Sequence, residues 1–491
     1  MPAGFTADDF YYLLPEILLT GGALLVLVID VLLPRREWAT FGMTLLTLGL
    51  TGAAVIGFTG VDTTISAGLL AIDGFATLFK SIVLLSALLT VLMSPSYLRV
   101  EEGRPGEYYF LILCATLGML FMASGVDLIT LFIGLETMAI SFYILAGYLK
   151  PNQRSNEASV KYFLLGAFSL GILLYGMSLF YGATGTTSLS GMAEALSGGG
   201  ERSLTLSLAL VLLVAGMGFK IAAVPFHMWA PDVYEGAPTP VTAYLSVGSK
   251  AASFAMILRI FIEGLPSLVV DWQVLFWVLA AVTMTVGNIA ALTQTNTKRM
   301  LAYSSIAHAG YILIGVVAAT ERGVAAAMVY LWVYIFMQLG AFAVVAMLRR
   351  QDVIGDELKD LSGLYIRRPL VAVAMLIFML SLGGIPPTAG FMGKLWLFAA
   401  AIESGFVWLA VIFVVNSVIS LYYYYRVIVF MWLKDEVAGS EITVNPAMAT
   451  ALVIAVVGSL LFGVYPQVLF DHAQVAAEMF GSAVSSTAAL R

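Results

Sequence analysis

Apolar stretches of roughly 20 residues recur from one end of this chain to the other, separated by short runs that carry Pro, Gly and charge. A helix of that length crosses ~30 Å of hydrocarbon, so each stretch predicts one membrane span. Fourteen spans are predicted, near 10–33, 38–59, 73–94, 107–124, 128–149, 158–181, 204–229, 240–263, 272–294, 299–319, 323–348, 370–402, 405–433 and 446–470. The fold class expected is therefore an all-α polytopic membrane protein, and an even number of crossings places both termini on one side.

Composition sharpens this reading. Of the 491 residues 60% are hydrophobic and 11% charged, with a mean hydropathy of +0.96. A soluble surface needs more charge than that. One cysteine, Cys114, excludes a disulfide framework, a Cys-ligated iron–sulfur cluster and a thiolate zinc site, and only three His remain for an imidazole metal site. No redox cofactor or metal is expected in this chain. The N-terminus MPAGFTADDF is acidic and runs straight into an apolar stretch, which predicts no cleavable signal peptide.

Positively charged loops resist translocation, so the Lys and Arg distribution orients the spans. Arg35, Arg36, Arg99, Arg104, Lys150, Arg154, Lys298, Arg299, Arg349, Arg350, Lys359, Arg367, Arg368 and Lys434 fall in loops after odd-numbered spans, which makes fourteen of the 24 basic residues. Only Arg202, Arg322 and Arg491 fall on the opposite side. Both termini are thus expected on the non-cytoplasmic side. The loop 230–239 should be cytoplasmic yet carries only Asp232 and Glu235.

Seven basic residues lie inside predicted spans: Lys80, Lys161, Lys220, Lys250, Arg259, Lys394 and Arg426. A charge at a helix centre costs at least ~2.5–3.5 kcal/mol on insertion scales, so each marks a functional site unless it snorkels to an interface. Snorkelling is the reading for Lys80, Arg259 and Arg426, which lie close to helix ends; Lys161, about one turn in, is open between the two. Lys220, Lys250 and Lys394 are too deep. All three are lysine, which burial can drive to give up its proton, whereas arginine stays charged. A buried lysine poised by a carboxylate can load a proton from one side and lose it to the other. Glu136, in the middle of FIGLETMAISFYILAGY, is the candidate carboxylate; Glu16 and Asp30, near the ends of the first span, read as interfacial.

Two of these lysines flank predicted helix breaks. Pro225 follows Lys220 by five residues, and Pro386 and Pro387, among Gly383, Gly384 and Gly390, precede Lys394. Interrupted helices at corresponding positions of two halves are how ion transporters mark their sites. The interrupted spans are the seventh and the twelfth, which predicts two five-helix repeats, 107–264 and 265–434, after three N-terminal spans in 1–106 and before a last span and tail in 435–491. Because five is odd, the second repeat lies inverted. His227, beside Pro225, and His308, midway along its span, suit a water-linked proton relay, since neutral imidazole accepts on one nitrogen and donates on the other. His472 lies in the tail, and the run from Tyr422 to Tyr425 reads as an interfacial aromatic belt.

The strings GLETMAISFYILAGY, NEASVKYFLLGAFSLGILLYGMSLFYG, GFKIAAVPFHMWAPDVYEGAPTPVTAYLS, ALTQTNTKRMLAYSSIAHAGY and SLGGIPPTAGFMGKLWLF carry a resemblance across most of the chain. It resembles the N-type membrane subunits of bacterial respiratory complex I, the proton-pumping NADH:quinone oxidoreductase, and their mitochondrial and chloroplast counterparts. The segment PDVYEGAPTPV looks like the N type rather than the related L- and M-type subunits or the multisubunit cation/proton antiporters. The resemblance implies a fourteen-helix antiporter-like subunit with one proton pathway in a bacterial inner membrane. Glu136 and Lys220 would form a coupled pair modulated by Lys161, with His227 beside the break. Lys250 and His308 would continue the axis, and Lys394 would connect to the exit half-channel; Lys80 is not part of the family pattern. NADH, FMN, iron–sulfur clusters and quinone would belong to partner subunits. K-type and M-type subunits and the lateral helix of the L-type subunit would be its neighbours, with the lipid bilayer around them and no nucleic acid involved. Two other readings compete: a subunit of a multisubunit cation/proton antiporter, which should cluster carboxylates around a sodium site, and a non-conducting scaffold, which would be more stable without its buried titratable groups.

Overall fold

A chain in hydrocarbon must satisfy every backbone N–H and C=O internally, and a helix does this within a single segment. The computed structural model, which describes residues 7–33, 36–197, 203–349, 355–435 and 444–481, is helical through most of its length. Arg35, Arg202, Arg350 and Arg491 lie outside the described residues. In chain order the principal helices are α1 (Leu14–Leu32), α2 (Glu37–Gly57), α3 (Gly74–Val100), α4 (Pro105–Ser124), α5 (Leu128–Ala146), α6 (Gln153–Thr184), α7 (Leu204–Lys220), α8 (Trp229–Gly236), α9 (Thr239–Gly264), α10 (Pro266–Leu292), α11 (Thr297–Ala318), α12 (Glu321–Leu348), α13 (Pro369–Gly383), α14 (Ala389–Glu403), α15 (Val407–Leu433), α16 (Pro446–Val464) and α17 (Gln467–Ala477).

Twelve of these are long and apolar enough to cross a membrane, two fewer than the spans expected. The difference lies at the seventh and twelfth expected spans. There the apolar helices α7 and α13 are shorter, and α8 and α14 follow after turns at 221–228 and 384–388. The stretch 230–239, expected to be a loop, is mostly α8.

Helix starts follow local capping. Asp73 accepts from Ala76 N (2.6 Å), Asp127 from Ile129 N (2.8 Å), Asn296 from Arg299 N (3.0 Å) and Asn445 from Met448 N (2.7 Å), each satisfying an N–H that has no intrahelical partner. Asn152 does the same for Arg154 N at 3.0 Å, so α6 begins at Gln153 rather than near 158. One element was not foreseen from hydropathy: a short antiparallel hairpin, Thr63–Ile65 with Leu70–Ile72, lies between α2 and α3.

Close packing is bought with small residues. A Cβ on Gly118 of α4 would lie 2.5 Å from Gly134 O on α5, and one on Gly287 of α10 would lie 2.7 Å from Ala307 N on α11. Both antiparallel pairs thus meet backbone to backbone. Burial is graded from centre to rim: α9 is buried along its whole apolar window and α11 and α12 over 94% of theirs, against 33% for α1, α2 and α16. The rim helices present Ile, Leu and Val outward, as lipid or neighbouring chains require. The ionisable side chains of interest hang mostly from the inner helices.

Candidate functional site

Lys220 is the last residue of α7, buried to 4% exposure, and its Nζ has no hydrogen-bond partner. The aromatic face of Tyr143 lies 5.8 Å from it, a cation–π distance. Glu136, on α5, is half-buried, and it and Lys220 each feel the other's charge without a direct hydrogen bond. The turns after Lys220 are held by side chains of other elements: Val224 N donates to Thr283 Oγ1 on α10 (2.9 Å), and Trp229 Nε1 donates to Phe219 O (3.0 Å). Backbone groups freed by the end of α7 therefore find partners inside the protein, as membrane interiors demand. His227 sits in this segment, partly buried.

Lys250 follows a π-helical turn, Leu245–Ser249, within α9 and is 3% exposed. Its Nζ donates to Ser305 Oγ on α11 (2.6 Å) and to Ser305 O. One turn along α11, His308 Nδ1 is 2.6 Å from the Tyr330 hydroxyl and Nε2 is 3.0 Å from the Tyr424 hydroxyl, which also meets Ser304 Oγ at 2.5 Å. Another turn on, the ring of Tyr311 lies 5.2 Å from Lys394 Nζ. Lys394, near the start of α14, donates to Gly383 O (2.9 Å) and Ser417 Oγ (2.9 Å). Gly383 O is a carbonyl at the C-terminus of α13, where the helix dipole favours a cation. Gly384 takes a left-handed conformation (φ +80°) that residues with a Cβ rarely adopt, and a Cβ there would also push on the Lys394 stem, 2.7 Å away at Cδ. Ser305, His308 and Tyr311 share one face of α11, since residues three apart are neighbours on a helix.

Ser304, Ser305, Tyr311, Tyr330 and Ser417, which make these contacts, were not singled out in the sequence. Tyr423 and Tyr424, read as belt residues, are 0% and 2% exposed, whereas Tyr422 and Tyr425 are 62% and 61% exposed. Each helical residue turns by about 100°, so a four-tyrosine run has two inner and two outer members. Tyr423 donates to Asn288 Oδ1 (2.9 Å), and Asn288 Nδ2 donates to Tyr311 (2.9 Å), extending the network.

Two snorkelling expectations fail, those of Lys80 and Arg259, whereas Arg426 is half-buried near its helix end. Lys80 is buried and pairs with Glu16 at 2.7 Å, so Glu16 is not interfacial either. Arg259 is 0% exposed and forks between Asp73 (2.7 Å) and Glu263 (3.2 Å). Arg426 donates to Leu292 O (2.9 Å) and to Gln294 O, carbonyls at the C-terminal end of α10. Glu16, Asp73 and the α10 carbonyls come from elsewhere in the chain, which distance from a helix end does not reveal. Lys298, counted as a loop residue, is buried against the carbonyls of Glu235 (2.7 Å) and Ala237 (2.8 Å). Lys161 bonds Asp232 (2.8 Å) and Glu157 (2.7 Å) at a water-open cleft, not Glu136. Among the described residues no group of three His, Cys, Asp or Glu stands ready for a metal.

A helical membrane protein with buried lysines set among hydroxyl and imidazole groups is the class this fold and site define. The family model described as NADH:quinone oxidoreductase/Mrp antiporter, TM, matches residues 125–420. A relative described as NADH-quinone oxidoreductase subunit N, from Trichlorobacter lovleyi, is 46% identical, covering 97% of this chain and 98% of its own. A chain in the structure of respiratory complex I from Thermus thermophilus with bound aureothin superposes with a TM-score of 0.80 at 35% identity, over 93% of this chain and 98% of that one. The Mrp complex from Dietzia contains a chain with a TM-score of 0.82 at 23% identity, covering 99% and 100%, a likeness of fold alone. The chain belongs to the NADH-quinone oxidoreductase subunit N family.

Proposed function

We propose that this membrane subunit of NADH:quinone oxidoreductase carries protons through Glu136, Lys220, Lys250, His308 and Lys394, driven by quinone reduction in other subunits. The observation that carries the reading is three buried stations along α11, Lys250 on Ser305, His308 on Tyr330 and Tyr424, and Lys394 over the ring of Tyr311, all in an interior where ionisable groups are costly. A hydroxyl or an imidazole both donates and accepts, so each station can hand a proton on through a water-linked step. Lysine suits the end points because, unlike arginine, it can release its proton. His227 lies at the interruption next to Lys220, and Lys161 acts from the cleft rather than by contact with Glu136.

The reading includes two inverted five-helix repeats, 107–264 and 265–434. Support comes from the interruptions after α7 and α13 and from the matching glycine contacts of α4 with α5 and α10 with α11. Both termini lie on the non-cytoplasmic side of a bacterial plasma membrane, and K-, M- and L-type subunits are the neighbours. NADH, FMN, iron–sulfur clusters and quinone are bound by partners, leaving this chain a translocase without redox chemistry of its own.

Glu136→Gln and Lys220→Ala test this directly, because each removes a titratable group rather than a packing element. Proton uptake by inverted vesicles, at matched complex content, is expected to fall at least tenfold in both. Parental uptake in both variants removes the pathway.

A further inference from the structure

The acidic stretch Asp232 to Glu235 stands among cations supplied by other helices. Asp232 Oδ2 takes Lys161 of α6 at 2.8 Å, and Asp232 Oδ1 takes Arg299 of α11 at 2.8 Å. Arg299 also reaches Glu235 at 2.8 Å, so it keeps a partner whatever happens at Asp232. Lys161 would keep only Glu157, at 2.7 Å on the same helix with 64% of its side chain exposed, where solvent screens the pair. Arg154, Glu157, Lys161, Asp232, Glu235 and Arg299 line a cleft of about 200 Å³ that opens to the surface.

The bridge between Lys161 and Asp232 spans the end of an aromatic stack that leads to Lys220. Tyr162, next to Lys161, stacks on Trp229 at 4.6 Å and 11°. Trp229 lies one turn before Asp232 on α8 and packs on Phe219, the residue before Lys220, at 5.4 Å. Tyr162 also meets Tyr143 edge-on at 4.8 Å, and Tyr143 faces the Lys220 ammonium. Four aromatic residues, Tyr162, Trp229, Phe219 and Tyr143, thus stand between the cleft and Lys220, and a charge at the cleft is screened less across them than across water.

We propose that Asp232 is a positioning residue for Lys161, holding its ammonium at the cleft so that this positive charge stays compensated and does not bear on Glu136 and Lys220. The inference rests on the reading of Glu136 and Lys220 as pathway residues and assigns a role to a carboxylate outside it. The charged groups facing Asp232 are Arg154, Glu157 and Lys161 from α6, Glu235 from α8 and Arg299 from α11; Lys298 is turned to backbone carbonyls. Three cations and three carboxylates balance at this cleft, so removing the Asp232 charge leaves one net positive charge there and Lys161 with only the exposed Glu157.

The test is the pH profile of proton uptake by inverted vesicles containing the whole complex. Asp232→Asn is expected to move the alkaline limb of the profile to lower pH by roughly half a unit, because an added positive charge makes a protonated lysine harder to form. Adding Lys161→Met to Asp232→Asn restores the parental position, and Asp232→Glu keeps it. An unmoved profile in Asp232→Asn, or a shift that persists after Lys161→Met, overturns the proposal. A merely structural aspartate would lower the yield of complex and leave the profile in place, which also counts against it. Lys220→Ala run alongside separates the two levels. Parental pumping there removes the pathway itself, whereas impaired pumping with an unmoved Asp232→Asn profile overturns only the role of Asp232.

Discussion

Removing Lys80 alone should damage this protein more than removing Lys80 and Glu16 together. The ammonium and carboxylate are 2.7 Å apart, each residue is 4% exposed, and they join α3 to α1 across 64 residues of sequence. Glu16 Oε2 has no hydrogen-bond partner, so Lys80 is the main group offsetting the desolvation of this carboxylate. Breaking a buried pair from one side costs about 3–5 kcal/mol, because a charge stays behind without compensation; replacing both members by uncharged groups of similar volume is often nearly neutral. Lys80→Met is therefore expected to weaken the attachment of α1 by two to three and a half decades in equilibrium constant, about 3–5 kcal/mol. Lys80→Met with Glu16→Gln should recover at least about 2 kcal/mol of that loss. The assay is a double-mutant cycle on heat-induced dissociation of the chain from detergent-purified complex. Additive costs, or a silent Lys80→Met, would refute the reasoning and make the pair an incidental contact.

Two further outcomes are expected. Lys394→Arg keeps the charge beside Gly383 O but cannot release a proton at physiological pH, so the complex should assemble while vesicle proton uptake falls at least tenfold; Lys394→Glu, still titratable, should retain more. An arginine variant that pumps like the parent would make Lys394 a fixed charge only. Gly390→Ala should sharply reduce the yield of assembled complex, since the added Cβ would sit 1.9 Å from Ser381 O, a backbone atom that cannot move without shifting α13; normal yield on a native gel would show that the two helices can part.

Most of the span positions were legible in the amino-acid order because one quantity, apolar length, determines whether a segment can cross hydrocarbon. That Lys220, Lys250 and Lys394 are buried was legible for the same reason, although the helices end or begin close to Lys220 and Lys394. The strings around Glu136, Pro225, His308 and Pro386 also made the family recognisable. Depth, however, is only one coordinate. The direction in which a side chain leaves its helix was not legible, because helices such as α9 and α12 are buried over 100% and 94% of their apolar windows and present no solvent- or lipid-facing side against which to orient it. Packing settled that direction. It turned Tyr423 and Tyr424 inward and Tyr422 and Tyr425 outward, and it brought Lys80 to Glu16 and Arg259 to Asp73, 186 residues away. It also set Lys161 against Asp232 rather than Glu136. Length and composition determine that a charge is buried; only the tertiary structure decides its partner, because partners meet across helix faces whose orientation depends on every neighbour at once.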